Sequence, residues 1–181
     1  MHQKTLAHLL LLAVALIYSA NYVWAKEVMP NPIPPNAFIL LRAGGATALF
    51  WLFLKKYWIL PERLDLLRLL LCGLCGVTIN QLCFFNGLAI TAPLHAAIIM
   101  ILTPVIVTSF SILVLKQKTT SLQWFGIAIG LIGAIGFIGY GKNNPMHGAS
   151  ALGDLFILIN AVSYSFYLIM VKPLMHKYHP L

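Results

Sequence analysis

Three kinds of side chain offer chemistry inside the apolar runs of this sequence. The first is Arg42, a fixed cation between Leu41 and Ala43. A guanidinium held at mid-bilayer costs about 2.5 kcal/mol or more, so it demands a partner or water. Counted from Ala37 it lies about one and a half turns into its helix, shallow enough to snorkel outward. Two readings follow: an outer gate or anion-recognising cluster with Glu27 or Asp154 as counter-ion and His95 nearby, or a structural arginine reaching the surface. The second kind is polar and neutral: Tyr18 and Asn21, Gln81 and Asn86, then Asn160, Ser163, Tyr164 and Tyr167. Spacing of three puts Tyr18 and Asn21 on one helical face, and Tyr164 and Tyr167 likewise. Such groups suit a neutral or zwitterionic solute along a pathway; the plain alternative is interhelical glue worth about 0.6 kcal/mol per bond. The third is Pro104, in the middle of an apolar run. It removes a backbone donor and frees the carbonyl of Met100, which predicts a kink and an acceptor able to line a cavity.

Other chemistry is missing. The three cysteines, Cys72, Cys75 and Cys83, share one apolar run and read as core filling, because no second pair or nearby histidine completes a zinc site. His176 and His179 lie in the tail without a third ligand. Neither H-E-x-x-H nor G-x-S-x-G occurs, and no nucleophile and base stand at matched depth, so neither an enzyme nor a metal or other cofactor is expected. No carboxylate falls at mid-bilayer, and nothing here supports proton coupling through an embedded acid.

The elements that must hold these residues follow from composition. Of 181 residues, 60% are hydrophobic and 9% charged, against about 25% charged in a soluble domain. This excludes a soluble enzyme, a disordered tail, a coiled coil and a disulfide scaffold. Six apolar runs approach the about 20 residues needed to cross hydrocarbon: Thr5 to Trp24, Ala37 to Leu54, Leu69 to Ile90, Leu94 to Leu115, Leu122 to Tyr140 and Leu155 to Val171. They lack period-two alternation, and lipid requires backbone groups to be satisfied internally, so an all-α polytopic transmembrane bundle is predicted. Lys4 before the first run and Tyr18-Ser19-Ala20 within it imitate a signal peptide, but the run continues to Trp24, which favours a retained helix. The net charge of +8 is spread through short loops rather than a groove, so nucleic acid is not an expected partner. With the N-terminus cytoplasmic, that side receives Lys4, Lys55, Lys56, Arg63, Arg68, Lys116, Lys118, Lys172 and Lys177, nine of the twelve bases. The asymmetry predicts N-terminus in. Gly126, Gly130 and Gly133, with Gly136 and Gly139, make a close-packing face on the fifth helix, internal or in a homodimer.

The sixth run repeats the first. At an offset of 146, Leu9 to Pro35 align with Leu155 to Leu181 with eight identities in 27 pairs, including Ala15/Ala161, Tyr18/Tyr164, Ser19/Ser165, Lys26/Lys172, Met29/Met175 and Pro34/Pro180. The second copy stands five spans after the first, and an odd offset inverts it in the membrane. The second copy stops at Leu181, opposite Pro35, so four further helices are expected. The alternative is a six-helix protein whose outer helices are alike by chance.

Several segments in order then carry a resemblance. Tyr18 to Lys26 in the first helix, Leu41-Arg42 after Pro34-Pro35, Gly87 to Thr91 followed by Leu102-Thr103-Pro104-Val105, Gln123 to Gly126, and Gly153-Asp154 with Tyr164 and Tyr167 together resemble the EamA-like branch of the drug/metabolite transporter superfamily. Gln117 stands between Lys116 and Lys118 where that family usually carries an acid. The resemblance implies ten helices in two inverted five-helix repeats, with residues 1–141 as the first repeat and 153–181 as the first helix of a truncated second. It implies movement of a small metabolite or drug-like solute across a bacterial inner membrane by alternating access, and the polar residues above suit an amino-acid-like or neutral one. The expected partners are that solute, the lipid bilayer and the missing C-terminal repeat. A non-transporting membrane scaffold or sensor is the alternative.

Overall fold

The computed structural model describes residues 2–57, 61–116, 120–143 and 150–178. Among these residues six helices follow one another: the first His2–Val28, the second Pro35–Tyr57, the third Arg63–Ile90, the fourth in two pieces Pro93–Met100 and Thr103–Leu115, the fifth Ser121–Asn143 and the sixth Ala151–Lys177. Among the described residues there is no strand. Four stretches, Thr5–Val28, Arg63–Ile90, Pro93–Leu113 and Ala151–Lys177, are long and apolar enough to cross a membrane. Gln117, Lys118, residues 144–149 and residues 179–181 lie outside the described residues, as do the side chains of Lys4, Lys55, Lys56 and Lys142.

The helices outgrow the apolar runs that predict them. The third starts at Arg63 and the sixth ends at Lys177, because a charge ends a hydropathic run without ending the hydrogen-bond ladder. Starts are marked locally. Pro93 opens the fourth helix, where its missing N–H is not needed. Ser150 caps the sixth, its Oγ accepting from the Gly153 amide at 3.4 Å.

The surface, unlike that of a soluble protein, is largely apolar. Leu10, Leu11, Leu16, Ile17 and Trp24 are exposed, while Asn160, Ser163 and Ser165 are buried. Lipid solvates the former, and the latter join helices. The sixth helix packs along the length of the third. At mid-length the third helix makes one π-helical turn, Leu74–Ile79. A π turn takes carbonyls out of the regular ladder, and the sixth helix supplies donors: Ser163 Oγ to the Cys75 carbonyl at 2.7 Å and Asn160 Nδ2 to the Asn80 carbonyl at 2.8 Å. Nearer Ile90, Gly87 and Gly153 let the backbones touch. A Cβ on Gly87 would stand 2.9 Å from the Gly153 carbonyl oxygen.

Charged groups pin both ends of this seam. Lys177 Nζ lies 2.6 Å from Asp65 Oδ2 and 2.6 Å from Glu62 Oε2, and the Tyr178 hydroxyl donates to the same Asp65 oxygen at 2.7 Å. At the other end Asp154 accepts from Thr91 Oγ1 at 2.6 Å and faces His95 Nδ1 at 3.1 Å. Asp65 is buried, so Asp65→Asn keeps its shape but removes the charge that Lys177 and Tyr178 converge on. Its thermal midpoint in detergent is expected to fall by about 2–5 °C; an unchanged midpoint would mean that the cluster contributes nothing to the seam.

Candidate functional site

A cavity of about 400 Å³ opens between the first and second helices on one side and the third, fourth and sixth on the other, within the usual range for small-molecule sites. It gathers Tyr18 and Asn21 from the first helix, Arg42 from the second, Gln81 from the third and Tyr164 from the sixth. Of the eight neutral polar residues read from sequence as pathway candidates, five, Tyr18, Asn21, Gln81, Asn160 and Tyr164, therefore share one space, with Arg42 beside them. Asn80, Phe84, Phe85, Met100 and Asn160 complete much of its wall.

Arg42 sets the cavity's electrostatics. Its Nη1 donates to Asn21 Oδ1 at 2.7 Å, and its guanidinium carbon lies 5.1 Å from the centroid of the Phe85 ring and 6.0 Å from that of Phe38. An amide and two ring faces orient a guanidinium without cancelling its charge. No ion pair to Arg42 occurs among the described residues. Asp154 is held by Thr91 and His95, and Glu27 is exposed. The outer cluster expected around Arg42 thus divides: Asp154 and His95 meet each other at the seam, while Glu27 joins neither.

Two amide oxygens complement the cation. Asn160 is 1% exposed and spends its Nδ2 on the Asn80 carbonyl, leaving Oδ1 without a hydrogen bond; Gln81 Oε1 is also buried and unpaired, and both residues line the cavity. A buried acceptor without a donor costs about 1–3 kcal/mol, so both oxygens would gain from an N–H brought within reach. Phe84 packs edge-on against Tyr22 and Phe85 at 5.1 and 5.0 Å, which fixes the aromatic part of the wall.

The remaining predicted residues lie elsewhere. Asn86 points away and bonds Asn36 Oδ1 at 3.1 Å and the Leu82 carbonyl at 2.9 Å. Tyr167 stacks on Tyr164 at 5.7 Å and covers Gly76, where a Cβ would fall 2.5 Å from its ring. Pro104 is exposed and lies off the wall, but the fourth helix does break just before it, at Ile101–Leu102, and Met100 at the break lines the cavity. On the fifth helix Gly130 admits Val105 of the fourth, whose Cγ2 would be 2.7 Å from an added Cβ, whereas Gly126 and Gly133 have nothing within 4 Å. Cys72, Cys75 and Cys83 are free thiols, and no cluster of three metal-ligating side chains occurs among the described residues.

The structural role of one cation was missed. Lys26 Nζ donates to the carbonyls of Leu88, Ala89 and Thr91 at 2.8, 2.8 and 2.9 Å. These are the orphan acceptors at the C-terminus of the third helix, where the helix dipole is negative. The readable signal was a lysine in the last turn of an apolar helix, close to the C-terminal end of another that runs the same way through the bundle.

Fold and cavity together define a multi-pass helical membrane protein with a polar, singly cationic chamber between its helices. The chain belongs to the EamA-like transporter family, whose model matches residues 5–139. It is similar to two uncharacterized transporters of Bacillus subtilis, YyaM (26% identical, 88% of this chain and 53% of the relative) and YcbK (24%, 92% and 54%). It is also similar to the WAT1-related protein At4g30420 of Arabidopsis thaliana (25%, 92% and 53%). The chain spans about half the length of these curated relatives. No solved structure matches it.

Proposed function

We propose that this chain supplies the first repeat, and the opening helix of the second, of an alternating-access carrier for a small amino-acid-like metabolite at a bacterial inner membrane, with the N-terminus cytoplasmic. The observation that carries the reading is that Tyr18 and Tyr164, identical residues at equivalent positions of the two repeat copies, line the same cavity. A chamber shared by both copies of an inverted repeat is where a carrier of this kind binds its solute. The chemistry of the wall supports the substrate class. Arg42 takes a carboxylate, Asn160 Oδ1 and Gln81 Oε1 take an ammonium or amide N–H, and Phe84, Phe85 and the tyrosines take an apolar side chain. Separate anchors for the two charges orient a zwitterion and discriminate against a solute lacking either one.

The reading is tested with the full product of the coding sequence in proteoliposomes loaded with unlabelled L-phenylalanine or L-leucine. Counterflow of the same labelled amino acid above protein-free vesicles is the expected result. Flux at the protein-free level for both would turn the reading toward a scaffold or sensor.

A further inference from the structure

The two copies of the repeated helix are used differently, and the difference is complementary. On the first helix Lys26 caps the third helix, and Met29, one turn on, is 2% exposed in the core. On the sixth helix their counterparts lie open: Lys172 is exposed with no hydrogen bond or ion pair among the described residues, and Met175 is 58% exposed. The reverse holds for the serine pair. Ser165 is buried, its Oγ donating to the Ala161 carbonyl at 2.7 Å and approaching the Thr103 carbonyl at 3.4 Å, while Ser19 on the first helix is exposed. Residues seven apart share a helical face, so on that one face the first helix is engaged at Lys26 and open at Ser19, while the sixth is engaged at Ser165 and open at Lys172.

We propose that Lys172 is the C-terminal cap of another transmembrane helix, the counterpart of the third helix in a second repeat that follows Leu181. The occupant's chemistry is specified by what Lys26 already holds: two or three backbone carbonyls at a helix end, within reach of one ammonium. Its source is the continuation of the polypeptide, since this chain covers only 53–54% of relatives that it matches along 88–92% of its own length. An exposed lysine near a helix end has a competing use, snorkelling to lipid headgroups, but that use gives no account of Met175 being exposed where Met29 is buried, or of Ser19 where Ser165 is. The proposal rests on the inverted repeat of the preceding section.

The test compares Lys26→Met, Lys172→Met and Lys172→Arg in the full product of the coding sequence, by thermal unfolding in a non-ionic detergent that offers no phosphate headgroups. Both methionine variants are expected to lower the midpoint by a similar amount, roughly 2–5 °C, with Lys172→Arg close to wild type. A midpoint unchanged by Lys172→Met while Lys26→Met lowers it would overturn the cap, as would a coding sequence that closes at Leu181. Labelling of Lys4→Cys and His176→Cys in a background without Cys72, Cys75 and Cys83 separates the two levels. Both positions on one face of the bilayer retain the inverted repeat even if the cap fails, whereas opposite faces remove the repeat and the cap together.

Discussion

Replacing Arg42 with glutamine is expected to leave the bundle folded and to cut solute flux per unit substrate about 100-fold. Arg42 is exposed to the cavity and touches the rest of the protein through one hydrogen bond, to Asn21, and two aromatic faces. Glutamine keeps a donor for Asn21 and most of the aliphatic stem, so the thermal midpoint should stay within about 2 °C of wild type. What disappears is the charge. A charge-assisted contact to a carboxylate, lost in a partly desolvated site, is worth about 3 kcal/mol, and each 1.4 kcal/mol is tenfold. Most of the loss should appear as a raised KM, because the contact is present whenever the solute is bound. Arg42→Lys should fall between the two, near tenfold, since an ammonium keeps the charge but lacks the planar fork. Counterflow rates measured across a substrate series decide the matter: wild-type KM in the glutamine variant would make Arg42 a snorkelling residue with no part in recognition.

Tyr18, Asn21, Gln81 and Tyr164, which line one cavity, were legible as pathway candidates because each is a polar group at interior depth in an apolar run, and such groups are driven toward one another or toward water. The six helices were legible for the same reason: length and apolarity suffice. What sequence concealed is rotation about the helix axes. These helices are apolar almost all the way round, so no amphipathic stripe says which face of the third helix meets the sixth. The seam's contacts join residues far apart in the chain, Asp65 with Lys177 and Thr91 with Asp154, and nothing local marks either pair. The π turn at Leu74–Ile79 is hidden likewise, since its cause lies across the interface, in donors carried by Asn160 and Ser163. Arg42 shows the limit from the other side. Depth placed it near Glu27 and Asp154, yet Asp154 belongs to a helix start where its charge faces Thr91 and His95.

Glycine usage supplies the sharpest structural forecast. The run Gly126, Gly130, Gly133 reads as the close-packing face by its spacing, but backbone meets backbone at Gly87 and Gly153, a pair with no such pattern. An added Cβ on Gly87 would stand 2.9 Å from the Gly153 carbonyl oxygen, 3.0 Å from Ile157 Cδ1 and 3.0 Å from Phe156 Cβ. The first and last of these cannot rotate away, so the third and sixth helices must separate to admit even a methyl group. Thr91 and Asp154, one turn along, would separate with them. Gly87→Ala should therefore cost about 3 kcal/mol, the upper part of the usual range for overpacking, and lower the midpoint by about 6–12 °C. Gly87→Leu should give no monodisperse protein on size-exclusion chromatography. Gly133→Ala, with nothing within 4 Å of the new carbon, should melt within about 2 °C of wild type. If Gly87→Leu purified as a single folded species at the wild-type midpoint, the seam would not be where the backbones place it, and the cavity wall formed by Asn80, Gln81 and Asn160 would lose its support.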